Sequence, residues 1–247
     1  MKIIGIIPAR YASTRFPGKP LVDICGKPMI QRVFEQVKKV KEFSEVVVAT
    51  DDERIEEVCR ANEMPVFMTS PECATPWHRA KEVADCMPAD FYITINGDEP
   101  LIEPRVIRAA IPLTVPEDEE FGTNIITEMK DPAEVMDPTN IKMVYNDKLE
   151  CCYMSRTPIP YPYKSTNFRY YKHVGVVGCN KRMLDFYVNS IPGTFELIEG
   201  IDSLRFVDYG KRLQLVIVEN AGSLSVDTKN DLNRVREIIL SKEAQSH

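Results

Sequence analysis

Arg10, Arg15 and Lys19 fall within ten residues of one another, interleaved with Ser13, Thr14 and Gly18. Cations to neutralise charge, hydroxyls to donate, and a glycine that lets backbone come close are what a triphosphate requires. The spacing is not that of a Walker-type loop, because Gly-x4-Gly-Lys-Ser/Thr is absent. The same residues could also form an ordinary solvated basic loop. Their place in the chain favours the phosphate reading: they follow directly on the apolar run Lys2–Pro8, which has the pattern of a buried parallel strand.

Other segments read the same way. Apolar residues at helical spacing predict a helix over Met29–Val40, and Glu45–Thr50 predicts a second strand. Asp51 and Asp52 supply a helix start before Ile55 and Cys59. Val66–Met68 and Phe91–Asn96 predict strands, with a helix over Arg79–Met87 between them. This alternation predicts an α/β fold, an open and mostly parallel sheet flanked by helices. Ligands of such folds bind past the carboxyl ends of the strands. The loops Ala9–Lys19, Asp51–Asp52, Glu72–Arg79 and Gly97–Pro100 all fall there. The second half predicts strands at Tyr170–Gly178 and Leu213–Glu219, and helices over Thr194–Asp208 and Thr228–Ser241. Residues 1–247 are expected to form a single domain with a smaller β-rich insertion near 125–190. The polar tail after Leu240 is expected to fray.

Composition narrows the classes. A net charge of -6 speaks against nucleic acid as partner, while a local basic cluster still suits a small anion. Seven cysteines without CxxC spacing speak against a zinc site or disulfide framework. The N-terminal apolar run is too short for a signal-peptide core. No apolar stretch approaches the roughly 20 residues that span a bilayer. A cytoplasmic chain without membrane contact is expected.

The string Ile7–Leu21 resembles the nucleotide loop of the 3-deoxy-manno-octulosonate (Kdo) cytidylyltransferases nearly residue for residue. The resemblance continues through Gly26-Lys27-Pro28, Val48-Ala49-Thr50-Asp51, Gly97-Asp98-Glu99-Pro100, Tyr153-Met154-Ser155-Arg156, Lys172-His173-Val174-Gly175 and Val226-Asp227-Thr228, in family order. It implies a nucleotide-diphospho-sugar transferase type of fold, with the insertion serving dimerisation and the sugar side. It also implies a reaction: CTP and an acidic sugar give a CMP-sugar and pyrophosphate, for surface polysaccharide such as lipopolysaccharide or capsule. Mg is the implied cofactor and a homodimer the implied assembly. The catalytic set would be Arg10, Lys19, Asp98 and Asp227, with Asp98 and Asp227 as metal ligands. Hard carboxylate oxygens suit Mg, which takes only one or two protein carboxylates; as plain structure, Asp98 would be a turn residue and Asp227 a helix cap. Nucleotide contacts would come from Pro8, Ala9, Arg10, Ser13, Arg15, Lys19, Thr75 and Arg79. Sugar contacts would come from Asn96, His173, Val177, Glu199, Asp202 and Ser203.

The chain departs from the family pattern in one loop and on the sugar side. Where the family has Ser-Gly-Thr-Asp/Glu-Arg, this chain has Thr75-Pro76-Trp77-His78-Arg79. Proline there fixes φ and removes a donor. Trp77 either stacks on a base or sugar or packs against the sheet. Asn96, Val177 and Asp202-Ser203 replace a family Gln, Tyr and Glu-Gln. Such changes alter hydrogen-bond reach, so another acidic or phosphorylated acceptor is a second expectation, and a silent nucleotide-binding scaffold a third.

Overall fold

The computed structural model describes residues 1–12, 16–221 and 224–245. The first half runs β1 (Ile3–Ala9), β2 (Asp23–Ile24), β3 (Lys27–Pro28), α1 (Met29–Val37), β4 (Glu45–Thr50), α2 (Glu53–Ala61), β5 (Val66–Met68), α3 (Pro76–Cys86) and β6 (Phe91–Ile95). Then come α4 (Pro104–Ala109), β7 (Phe121–Glu128), α5 (Pro132–Met136), β8 (Lys142–Tyr145), β9 (Cys151–Ser155) and β10 (Tyr171–Cys179). The last elements are α6 (Lys181–Asn189), α7 (Thr194–Glu199), α8 (Leu204–Asp208), β11 (Arg212–Ile217) and α9 (Lys229–Gln245).

The main sheet has the order β11-β7-β10-β6-β1-β4-β5. β1 is parallel to β4 and β6, β4 to β5, and β7 to β11. Only β10 on this path runs against its neighbours. The carboxyl ends of the other six therefore share one edge, and β10 begins at that same edge. This topology brings the loops after β1, β4, β5 and β6 together, and sets His173 beside them. β8 pairs with β10 and β9 and lies off the main path.

Both faces of the sheet are covered. In β1, Ile3 and Ile7 join a core with Val33 and Phe34 of α1 and Ile55 of α2. Ile4 and Ile6 face the other way, onto Ala80 and Val83 of α3 and Leu184 of α6. Alternation along a strand buried on both faces explains why its sequence is almost continuously apolar. A smaller cluster seats Leu232 and Val235 of α9 against Ile24, Met29 and Val226.

Two helices differ from expectation for local reasons. α3 starts at Pro76 rather than Arg79, since proline at a first helical position loses no bond and presets φ. The single helix expected over Thr194–Asp208 is two, because Gly200 takes φ 61° and ends α7. The turn that results carries Asp202. The tail is helical through Gln245 instead of fraying at Leu240.

Candidate active site

At the shared strand edge lies a cavity of about 560 Å³. Pro8, Ala9 and Arg10 enter it from β1, Lys19 from the following loop, and Thr75 and Arg79 from the start of α3. Asp202 reaches it from the turn after Gly200. A second cavity of about 590 Å³ contains His173, Lys172 and Arg234. The two meet at Asn96, Asp98 and Asp227, which border both. A reacting pair placed one in each cavity would face each other across these three residues.

Lys19 Nζ sits between the two carboxylates, 2.7 Å from Asp98 Oδ2 and 3.3 Å from Asp227 Oδ1. Asp98 Oδ1 is buried and has no hydrogen-bond partner among the described residues. Asp98 stands beyond β6, while Asp227 precedes α9; the Val226 N–H donates to the Asp98 carbonyl at 2.9 Å and keeps these segments together.

β6 is locked onto β10 just before the site. Asn96 N–H donates to the Gly175 carbonyl, and Gly175 N–H donates to Glu99 Oε1 at 3.0 Å. A Cβ at Gly175 would lie 2.3 Å from Glu99 Oε1 and 2.4 Å from Asn96 Nδ2, so a side chain there would displace both of these polar groups.

Four expected acceptor contacts are placed elsewhere: Asp202 borders the Arg10–Lys19 cavity and not the His173 cavity, because the turn after Gly200 lies on that side. Val177 is in the core shared with Trp77 and Tyr187, since β10 turns alternate residues into that face. Glu199 accepts from Ser155 Oγ at 2.6 Å and Arg156 N–H at 2.9 Å, and so braces β9 instead of lining a cavity. Ser203 is buried at the N-cap of α8. Arg79 borders the first cavity, but its guanidinium donates to Asp51 Oδ2 at 2.8 Å and to Thr69 Oγ1. Thr75 Oγ1 is 2.9 Å from His78 Nδ1. Trp77 packs, with its ring 5.0 Å from Phe206 and 6.0 Å from Tyr187. Ser13 and Arg15 lie outside the described residues.

Arg156, quoted above only as part of a motif, borders the first cavity. Its Nε donates to the Glu199 carbonyl at 2.8 Å and its Nη2 to the Gly200 carbonyl at 3.1 Å. It therefore fixes the turn that carries Asp202. Burial raises the Asp202 carboxyl above its usual range, Glu196 adds to this, and Arg205 and Arg10 oppose it. Arg205 in turn forms a buried two-pronged pair with Glu196, both contacts at 2.7 Å.

Three comparisons place the chain among known proteins. A family model described as Cytidylyltransferase matches residues 4–213. The chain is 40% identical to the 3-deoxy-manno-octulosonate cytidylyltransferase of Geobacter metallireducens, over 96% of this chain and 97% of that one. It is 36% identical to the 8-amino-3,8-dideoxy-manno-octulosonate cytidylyltransferase of Shewanella frigidimarina, over 95% and 97% respectively. Its fold is similar to that of a CMP:2-keto-3-deoxy-manno-octonic acid synthetase complexed with CTP, at TM-score 0.90 and 34% identity, covering 98% of this chain and all of that one. The alternation of strands, the loop at Arg10–Lys19 and these matches lead to one assignment: the chain belongs to the cytidylyltransferase family.

Proposed function

We propose that this enzyme joins CTP to 3-deoxy-manno-octulosonate or its 8-amino analogue, releasing pyrophosphate. The observation that carries the reading is the meeting of two polar cavities at Asn96, Asp98 and Asp227. The relatives' names supply the acceptor class. The Arg10–Lys19 cavity takes the nucleotide and the His173 cavity takes the sugar.

The acceptor hydroxyl gives up its proton to solvent as its oxygen forms a bond to the α-phosphorus, and the bond from that phosphorus to the bridging oxygen of pyrophosphate breaks. The work left to the protein is alignment and neutralisation of charge. Lys19 and Arg10 neutralise the triphosphate. Asn96, anchored to Gly175, orients the attacking hydroxyl.

The two carboxylates fit a divalent cation. Among the described residues, no group of three or more His, Cys, Asp or Glu is placed to hold a metal. Mg is satisfied by one or two carboxylates, with phosphate oxygens and waters completing its shell. Asp98 Oδ1 is buried and lacks a hydrogen-bond partner among those residues, as an oxygen meant for a cation would. Asp98 and Asp227 would hold Mg, which when bound supplies charge neutralisation and Lewis acidity.

A homodimer is part of the proposal. The half-buried aromatic face carrying Tyr145, Tyr153, Phe168 and Tyr171 is the surface suited to a second copy. No helix among the described residues is long and apolar enough to cross a membrane, and the seven free thiols suit the reducing cytoplasm.

The test is pyrophosphate release by purified protein with CTP and Mg across a panel of acidic sugars. Release with either eight-carbon acid supports the assignment and ranks the two. Release only with another acidic or phosphorylated acceptor would overturn the acceptor and keep the chemistry.

A further inference from the structure

Asn124 is fully buried in the middle of β7, a strand otherwise built of apolar and small residues. Its side-chain amide makes three contacts. Nδ2 donates to the Ile125 carbonyl at 2.9 Å and to the Val174 carbonyl at 3.3 Å. Oδ1 lies 3.0 Å from His173 Nδ1. The two carbonyls settle the orientation of the amide. Turning it over would press Oδ1 against two carbonyl oxygens and lose both of those bonds for a single one to His173 Nδ1, a net loss of roughly 1–3 kcal/mol in a buried place. Oδ1 therefore faces the imidazole, and an oxygen with no hydrogen can only accept. The hydrogen in that contact belongs to His173 Nδ1.

The backbone makes this possible. Between the pairs His173–Ile126 and Val177–Asn124, β10 advances four residues while β7 advances two. The bulge places Val174 outside the regular ladder, so its carbonyl is available to the Asn124 amide. His173 itself lines the acceptor-side cavity. With Nδ1 turned inward to Asn124, the opposite edge of the ring, bearing Nε2, is the edge on the cavity side.

We infer that Asn124 is a positioning residue: it locks His173 in the Nδ1–H tautomer, so that Nε2 meets the acceptor as a hydrogen-bond acceptor and takes a hydroxyl or ammonium hydrogen, not a carboxylate. This rests on the reading of that cavity as the acceptor site. A doubly protonated ring would defeat the arrangement by presenting a donor. Burial holds the ring against this, pushing its pKa down to about 4.

The chain has three histidines, so imidazole nitrogen NMR on labelled protein, without substrate, reads the tautomer directly. His173→Gln assigns the signals. Near pH 7 the wild type should show a protonated Nδ1 and a bare Nε2 at His173. Asn124→Leu, which removes the accepting oxygen, should shift His173 toward Nε2–H. It should also raise the acceptor KM about tenfold and leave the CTP KM within about twofold. Asn124→Asp keeps an accepting oxygen and loses the amide donors. The carboxylate beside Nδ1 should favour the doubly protonated ring, so the acceptor KM should stay raised near pH 7 and fall as pH rises past the ring's higher pKa, which a purely structural asparagine would not predict. An Nε2–H ring in the wild type overturns the inference, as does an unchanged acceptor KM in an Asn124→Leu protein whose tautomer has moved. The spectra need no substrate, so failure to find an active acceptor would count against the proposed function and not against the locked ring.

Discussion

Lys19 Nζ pairs with Asp98 Oδ2 at 2.7 Å and reaches toward Asp227 Oδ1 at 3.3 Å, so one cation stands between the two carboxylates proposed to hold Mg. A lysine there offsets the repulsion of paired carboxylates while the nucleotide is absent. Binding of Mg with CTP requires it to exchange carboxylate for phosphate. Lys19→Met should then tighten Mn binding to the nucleotide-free enzyme several-fold and weaken CTP binding about tenfold or more. Calorimetry with Mn alone, and then with CTP, reads the two effects. Equal weakening of both would assign Lys19 a different role.

Asp98→Asn keeps the size of the side chain and removes its charge. Turnover should fall about 100- to 1,000-fold, as when a group that stabilises developing charge is lost, while the thermal midpoint moves little. Near-normal turnover at saturating Mg would remove Asp98 from the proposed metal site.

Much of this site was legible in the sequence because its residues follow strand ends, and parallel strands deliver their ends to one edge. Arg10, Lys19, Asn96 and Asp98 could be placed on that basis. His173 could not, since its position depends on β10 running antiparallel and on a bulge that no periodicity reveals. Val177, Glu199 and Ser203 are sugar contacts only by resemblance: Val177 and Ser203 are buried, and Glu199 accepts from Ser155 Oγ and the Arg156 N–H. A buried amide among apolar neighbours, as at Asn124, was the one unused signal. It marks a polar task inside a core.

Trp77 shows how packing decided an open reading. Its indole lies edge-on to Phe206 at 5.0 Å and 76°, and it is 4% exposed. Trp77→Ala should destabilise the protein by about 3–5 kcal/mol, with little change in the CTP KM for the folded fraction. Denaturant midpoints and nucleotide kinetics on the same preparation test this. A large rise in CTP KM at unchanged stability would restore base stacking.

The pair between Glu196 and Arg205 spans α7 and α8 and so holds the intervening turn that carries Asp202. Glu196 also accepts from Gly193 N–H at 3.0 Å, and Arg205 donates to the Tyr187 carbonyl at 2.9 Å. Glu196→Ala should cost about 3–5 kcal/mol by stranding a buried guanidinium. Adding Arg205→Met should recover part of that loss. The CTP KM of the double variant, compared with wild type, reports whether the turn keeps its place beside the Arg10–Lys19 cavity.

His173 also sets an acid limit on stability. Its folded pKa is about 4 because the ring is buried, against an ordinary value near 6.5. The unfolded chain therefore binds this proton first as pH falls. The contribution is fully present above about pH 6.5 and is lost as pH drops toward 4. Between pH 7.5 and 5 the loss should be about 2 kcal/mol by this linkage. Urea unfolding of wild type and His173→Gln across that range isolates it, because other groups titrate alike in both. The wild type should lose stability more steeply, and parallel curves would show that the ring protonates freely in the folded state.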